Sequence, residues 1–250
     1  MFKSYASSGL VVAGALAASM LFPISASAVP FTITSVTNFD CVTPPTPVGL
    51  TCTPKVLTWK TPETTVSKLT LTDLATSALI NSGDPAINIT QLTHDNVIIP
   101  QAYNYFRNIN NNVTLLEGAP PGGTELVNDS NTIGINFTET VNSTPCTFPT
   151  PAGTICDDFF DFTAGGLDPV SFISGGIKYN LIFDLVLGNG AFFDGVKPNR
   201  VYTAESASSD LFVTARIEAV DVPIPEPVTL ALLGLGLLGI GFTTRQRKIM

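Results

Sequence analysis

Charged residues and histidine are scarce in this 250-residue chain. The first scarcity disfavours one kind of secondary structure, and the second excludes one kind of active site. Asp, Glu, Lys and Arg make up 13% of the residues, which disfavours surface helices because their wet faces need Glu, Lys and Ala. Thr, Asn, Gly and Pro are plentiful, which favours strands and turns. The single histidine, His94, excludes a His-Glu-x-x-His metalloprotease helix. No Gly-x-Ser-x-Gly elbow or phosphate-binding glycine loop occurs either.

The first residues have the composition of an export signal. Lys3 is followed by an uncharged apolar stretch at residues 9–22, and small residues at 26–28 have the spacing that a signal peptidase accepts. We interpret residues 1–28 as a cleaved signal peptide. The alternative is an N-terminal membrane anchor, but the apolar run is shorter than the roughly 20 residues that span a bilayer.

A second apolar segment, residues 228–242, lies near the other end and contains no charged side chain. It is followed by three basic residues, Arg245, Arg247 and Lys248. A helix of this length spans about 22 Å, against a hydrocarbon core of about 30 Å. We predict a marginal transmembrane helix whose basic end stays in the cytoplasm while the bulk of the chain lies outside.

A Pro-Glu-Pro triplet, Pro225, Glu226 and Pro227, precedes this helix and leaves an accessible extended segment, because proline interrupts helix and strand alike. The triplet, the Gly- and Leu-rich helix and the basic end resemble the PEP-CTERM sorting signal of Gram-negative bacteria. The resemblance implies that residues 223–250 are a sorting signal cleaved by an exosortase, a membrane transpeptidase. The protein would cross the inner membrane, be anchored transiently, and reach the cell surface or extracellular matrix. A plain C-terminal anchor with a chance triplet is the alternative.

Basic side chains are few between the two ends, where residues 29–222 are expected to form a single folded body. Lys3 and the three bases of the tail account for four of the twelve Lys and Arg. Residues 29–227 therefore carry eight basic and twenty acidic side chains, a net charge near −12. Nucleic acid and anionic lipid need a positive protein surface, so neither is expected as a partner of this body.

The four cysteines form two local pairs, each enclosing a proline-rich loop: Cys41 with Cys52, and Cys146 with Cys156. An exported protein meets oxidising conditions, under which such pairs form disulfides. Zinc is the competing interpretation, but the spacing is not Cys-x-x-Cys and one histidine cannot complete two sites. We therefore predict two disulfides.

Apolar residues recur at every second position along much of the body, which is the pattern of half-buried strands. The clearest case is residues 177–187, predicted to be a central strand that is joined to 170–173 by a hairpin turn at 174–176. Other strands are predicted at 31–37, 56–59, 68–72, 86–93, 112–116, 133–137, 158–162 and 211–217. Many short strands without an amphipathic helix predict an all-β fold, a single β-sandwich domain.

The lone histidine lies between a predicted strand and an apolar run that leads to Pro100. Thr93, His94 and Asn96 resemble the Thr-His-x-Asn signature of the THxN family of PEP-CTERM proteins, a resemblance that implies no established activity. We place His94 in a turn or at a strand edge, where its ring nitrogens and the Asn96 amide satisfy backbone groups. No nucleophile lies nearby, and Asp95 is the only local carboxylate, so no catalytic residue is predicted. Hydrolase chemistry assembled from distant residues is the alternative.

The densest group of carboxylates is Asp157, Asp158 and Asp161. No EF-hand-like run is present, so we interpret them as exposed acids at a strand end. A calcium site completed by backbone carbonyls is the alternative, and no other cofactor or metal is expected.

These features predict an exported, non-enzymatic protein of the surface or matrix. Family resemblance alone implies its association with exopolysaccharide, biofilm or floc. The rival hypothesis is a secreted carbohydrate-binding or carbohydrate-active module. Binding of this kind calls for exposed aromatic side chains, and one tryptophan, Trp59, and five tyrosines give few candidates. A row of exposed aromatics on one sheet would favour the binding module, and a cleft that brings His94 beside two carboxylates would favour an enzyme.

Overall fold

Strands and connecting loops, without any helix, make up the residues that the computed structural model describes, 29–46, 48–60, 66–99, 102–163 and 166–220. Within these ranges no helix has the length and apolar character needed to cross a membrane. The predicted signal peptide at 1–28 and the predicted transmembrane helix at 228–242 lie outside the described residues.

The strands of the described residues number fourteen. In chain order they are β1 (Pro30–Phe39), β2 (Leu50–Cys52), β3 (Val56–Lys60), β4 (Val66–Asp73), β5 (Ala78–Asn81), β6 (Ile87–Asp95), β7 (Tyr103–Glu117), β8 (Glu125–Glu139), β9 (Asp158–Phe162), β10 (Val170–Ser174), β11 (Ile177–Leu187), β12 (Ala191–Phe193), β13 (Arg200–Thr203) and β14 (Ser208–Ala219).

These strands form two seven-stranded sheets, in which neighbouring strands run antiparallel. Sheet A has the order β12-β13-β9-β8-β7-β1-β5, and sheet B has the order β10-β11-β14-β6-β4-β3-β2. The prediction of an all-β fold is confirmed, and the two sheets pack face to face in the manner of a sandwich.

The core lies between the sheets because each strand turns alternate side chains inward. In β11 the side chains of Tyr179, Leu181 and Phe183 are buried, while the intervening ones are at least partly exposed. They meet side chains of the other sheet: the ring of Phe31 from β1 lies 5.5 Å from that of Tyr179 in an edge-to-face arrangement. Each fully buried side chain of this size stabilises the fold by about 1.5–3 kcal/mol.

The predicted hairpin is confirmed at β10 and β11, where Ser174 pairs with Ile177 across a two-residue turn. Gly175 and Gly176 have φ values of 57° and 79°, which glycine adopts without the strain that a Cβ brings. The predicted position of residues 177–187 inside a sheet is also confirmed, since β11 is flanked by β10 and β14.

Candidate functional site

Four strand ends meet at one end of the two sheets. Glu139 is the last residue of β8, Asp158 is the first of β9, and Glu205 follows the end of β13. Because β9 pairs antiparallel with β8 on one side and with β13 on the other, the end of β8, the start of β9 and the end of β13 lie at the same edge of sheet A. Asn96, directly after β6, comes to this edge from sheet B.

Glu139, Asp158 and Glu205 form a buried acidic cluster, in which one oxygen of each carboxylate lies within 4.8 Å of the others. Glu139 and Asp158 are fully buried, and Glu205 is 6% exposed. Burial, followed by the charge of a neighbouring carboxylate, raises the pKa of Asp158 to about 9 and the pKa of Glu205 to about 8. Burial also raises the pKa of Glu139 to about 8, although the Trp59 indole opposes that rise.

Donors among the described residues reach two oxygens of the acidic cluster. The Trp59 indole donates to Glu139 Oε2 at 2.7 Å, and the backbone N–H of Thr140 donates to Asp158 Oδ1 at 2.7 Å. Glu139 Oε1, Asp158 Oδ2 and both oxygens of Glu205 have no hydrogen-bond partner within the described ranges. Buried oxygens without a partner are costly, at about 1–3 kcal/mol each and more for charged groups.

Two asparagine amides face the acidic cluster. The Asn96 side chain is 97% buried, since its exposed fraction is 3%, and its Nδ2 donates to the carbonyl of Ala204 at 3.3 Å. Asn96 Oδ1 has no partner, and neither amide atom of Asn142 has one. Both amides lie close enough to Glu205 to oppose the rise in its pKa, without reaching hydrogen-bonding geometry.

A disulfide loop closes over this end of the molecule. Both predicted disulfides are formed, with Cα–Cα distances of 5.5 Å for Cys41–Cys52 and 5.1 Å for Cys146–Cys156. Inside the second loop the hydroxyl of Thr154 accepts a hydrogen bond from the backbone N–H of Glu205 at 2.9 Å. The loop therefore holds the backbone of Glu205 in place.

His94 lies beside the acidic cluster and is the penultimate residue of β6, so it belongs to the end of a strand and not to a turn. Its strand, β6, is flanked by β14 and β4, and His94 pairs with Ser209 and Leu69. His94 Nδ1 is bonded to the side-chain hydroxyl of Thr203 at 2.9 Å rather than to a backbone group.

The ring of His94 packs among aromatic side chains. Its centroid lies 5.5 Å from that of Trp59 and 5.3 Å from those of Phe137 and Phe160. Burial lowers the pKa of His94 to about 3, despite the opposing charge of Asp95. The ring is therefore neutral at physiological pH and acts as part of the core.

The prediction that Asp157, Asp158 and Asp161 are exposed strand-end acids is wrong for the first two, which are fully buried. The calcium alternative built on these three also fails, because their carboxylates have separate partners. Asp157 accepts a hydrogen bond from the backbone N–H of Ala152 at 2.6 Å, and Asp161 accepts two from the guanidinium of Arg200 at 2.7 Å. Only Asp158 enters the acidic cluster, and sequence reasoning missed Glu139 and Glu205 altogether.

A cavity of about 300 Å³ lies between the sheets, away from the acidic cluster, and has mainly apolar walls. Its polar groups bond to one another: the hydroxyl of Thr37 contacts that of Thr90 at 2.7 Å and donates to Asn111 Oδ1 at 3.2 Å. This cavity offers less to a polar ligand than the acidic cluster does.

Comparison with known proteins bears on the tail of the chain. No curated protein matches the sequence. The segment 223–248 matches the family described as PEP-CTERM protein-sorting motif. It contains Pro225, Glu226, Pro227, Arg245, Arg247 and Lys248, which lie outside the described residues.

The match does not reach Thr93, His94 and Asn96, so membership of the THxN family remains a prediction. The sorting motif and the two disulfides fit an exported protein. The chain thus carries a PEP-CTERM sorting motif, which implies an exosortase-type processing partner and a surface destination.

Proposed function

We propose that this protein is a non-enzymatic component of the cell surface or extracellular matrix, released or re-attached there after an exosortase-type enzyme cuts its tail. The match of residues 223–248 to the sorting motif carries the proposal. The association with exopolysaccharide, biofilm or floc rests on the resemblance to the THxN family.

Burial of the reactive groups supports a non-enzymatic role. His94 is fully buried and neutral, and the three carboxylates of the acidic cluster are at most 6% exposed. A general acid or base must come within about 3 Å of the proton that it transfers, and a polymeric substrate cannot approach these groups so closely.

The single tryptophan does not favour the rival role of carbohydrate binding, and the exposed aromatic side chains are phenylalanines: Phe106, Phe148, Phe192 and Phe193 are 36–45% exposed. Trp59 is 1% exposed and packs in the core. Phe159 and Tyr202 are paired neighbours on the face of sheet A opposite the core, but they are buried as well. Phe148 packs on Phe159 with a centroid distance of 4.9 Å, and the guanidinium of Arg200 lies 3.9 Å from the centre of the same ring.

Intact-mass analysis of the protein from its native host, separated into membrane, surface and medium fractions, tests the proposal. We expect a product that ends near Pro225, Glu226 and Pro227 in the surface or medium fraction. Replacing both prolines of the motif, Pro225→Ala with Pro227→Ala, is expected to leave an uncut chain in the membrane. The matched control is Asp221→Asn, which changes a residue just before the motif and is expected to be processed normally.

An uncut tail in the unaltered protein, found only in the membrane fraction, would contradict the processing step. Co-sedimentation with exopolysaccharide purified from the same host tests the matrix step separately. Protein that is cut but stays in solution when the polysaccharide is pelleted would refute that step alone.

A further inference from the structure

We propose that the acidic cluster is a calcium site, in which Glu139, Asp158 and Glu205 supply carboxylate oxygens. The side chains of Asn96 and Asn142 lie against Glu205 at the border of the site. The site would join sheet A, sheet B and the loop that follows β8.

The spacing of the three carboxylates fits one cation. Calcium binds oxygens at about 2.3–2.6 Å, so two ligands of one ion are at most about 5 Å apart. One oxygen of each carboxylate in the acidic cluster lies within 4.8 Å of the others. All three therefore fit on the coordination sphere of a single ion.

Unpartnered oxygens are the second and independent observation. Asn96 is 97% buried, since its exposed fraction is 3%, and its Oδ1 accepts no hydrogen bond. The same holds for Glu139 Oε1 and Asp158 Oδ2. Buried polar atoms are normally satisfied, and the free oxygens of the clustered carboxylates lie close enough together to bind one cation.

No Lys or Arg in the part of the chain that the structure describes forms an ion pair with the acidic cluster. Among the described residues, the ion pairs of Lys and Arg involve other carboxylates. The nearest ring that can carry a positive charge, His94, is buried and bonded to Thr203 through Nδ1. Three carboxylates this close cannot all be ionised without a counter-charge, so they hold either shared protons or a cation.

The chemistry of the ligands selects a hard cation. Carboxylate and amide oxygens suit calcium, which accepts six to eight oxygens in irregular geometry, whereas zinc prefers His and Cys. Three carboxylates with several free oxygens meet this demand better than they meet the strict octahedron of magnesium.

Terbium luminescence tests the site without any substitution. Terbium(III) occupies oxygen-lined calcium sites, and its emission rises when a nearby indole transfers excitation to it. The chain has one tryptophan, Trp59, and its indole N–H lies 2.7 Å from Glu139 Oε2. We expect the full-length protein, with both disulfides intact and stripped with EDTA, to give tryptophan-sensitised emission that calcium abolishes by competition.

Thermal unfolding supplies the second readout and compares matched variants. A cation that binds only the folded state raises the melting temperature, by about 5–10 °C for a chain of this size when calcium is 100-fold above its dissociation constant. Glu205→Gln removes one ligand charge and is expected to lose most of this rise. The control is Glu125→Gln, an exposed residue at the other end of β8, which is expected to keep it.

The behaviour of Glu205→Gln in EDTA separates a cation site from a merely structural carboxylate. Without calcium the substitution removes like-charge repulsion, so the variant is expected to melt at the same temperature as the unaltered protein or above it. A variant that melts lower in EDTA, with its calcium-dependent rise intact, would overturn the proposal. So would the absence of both terbium emission and a calcium-dependent rise, or a rise with magnesium and none with calcium.

Discussion

The neutral, buried His94 makes a quantitative prediction about acid stability. Its pKa is about 3 in the folded protein, below the ordinary value of 6.5, because burial disfavours the charged ring. Between pH 6.5 and pH 3 the ring therefore binds a proton in the unfolded chain but not in the folded one. The contribution of His94 to the free energy of unfolding is fully present above pH 6.5 and is lost as the pH falls toward 3. Each pH unit in this window costs about 1.4 kcal/mol.

Between pH 7 and pH 5 this amounts to about 2 kcal/mol of unfolding free energy. The pH dependence of the unaltered protein alone does not show this loss. The raised pKa values of the acidic cluster stabilise the folded state as the pH falls, which masks the effect of His94. The variant His94→Asn keeps an amide near Thr203 but has no ring to titrate. The stability advantage of the unaltered protein over this variant, measured by urea unfolding in EDTA, should shrink by about 2 kcal/mol from pH 7 to pH 5.

Nuclear magnetic resonance gives an independent check, because the chain has a single histidine. The ring protons of His94 should keep their chemical shifts from pH 8 to pH 5 while the protein stays folded. A titration near pH 6.5, or an advantage over His94→Asn that does not change with pH, would refute the burial argument.

Three further predictions concern stability, and urea unfolding measures each of them. Replacing Cys146 and Cys156 together by serine should cost about 3 kcal/mol, because the open loop regains entropy in the unfolded state; a loss below about 1 kcal/mol would contradict that account. Leu181→Ala should cost about 2–5 kcal/mol because it empties a buried position, whereas Ile173→Ala, at a position that is 67% exposed, should cost under about 0.5 kcal/mol. Gly176→Ala should cost about 1–2 kcal/mol because φ is 79° in the hairpin turn, and an unchanged midpoint would show that the turn tolerates a side chain.

The fold was predictable where a strand is long and buried on one face. The alternation in β11 is a local property of the sequence, and the adjacent glycines specify the turn that begins it. The short strands β2, β5, β12 and β13 were missed because three or four residues are too few to show a period. In β13 all four side chains are buried, so its sequence has no alternation of apolar and polar residues from which a strand could be predicted.

The acidic cluster was not predictable, because strand pairing and not sequence proximity assembles it. Glu139 and Glu205 are isolated acids in the sequence, and each looks like an ordinary exposed residue at the end of a strand. The sequence pointed to Asp158 only because Asp157 and Asp161 lie near it in the chain. In the structure those two residues bond to Ala152 and Arg200 instead of joining the cluster. Of the Thr-His-x-Asn signature, Asn96 lies against Glu205 of the acidic cluster, while His94 packs behind the cluster against Trp59.

The proposed calcium site and the disulfide Cys146–Cys156 are expected to reinforce each other. The loop between residues 140 and 157 carries Asn142 toward Glu205 and leads into Asp158, and the disulfide shortens the path that this segment can explore. Reduction should therefore weaken calcium binding. Coupling between two equilibria is reciprocal, so calcium should make the disulfide harder to reduce by the same factor. An oxidising environment is found outside the cell, where calcium-binding modules have dissociation constants of about 10⁻⁴–10⁻³ M, so the fold would reach its full stability only after export.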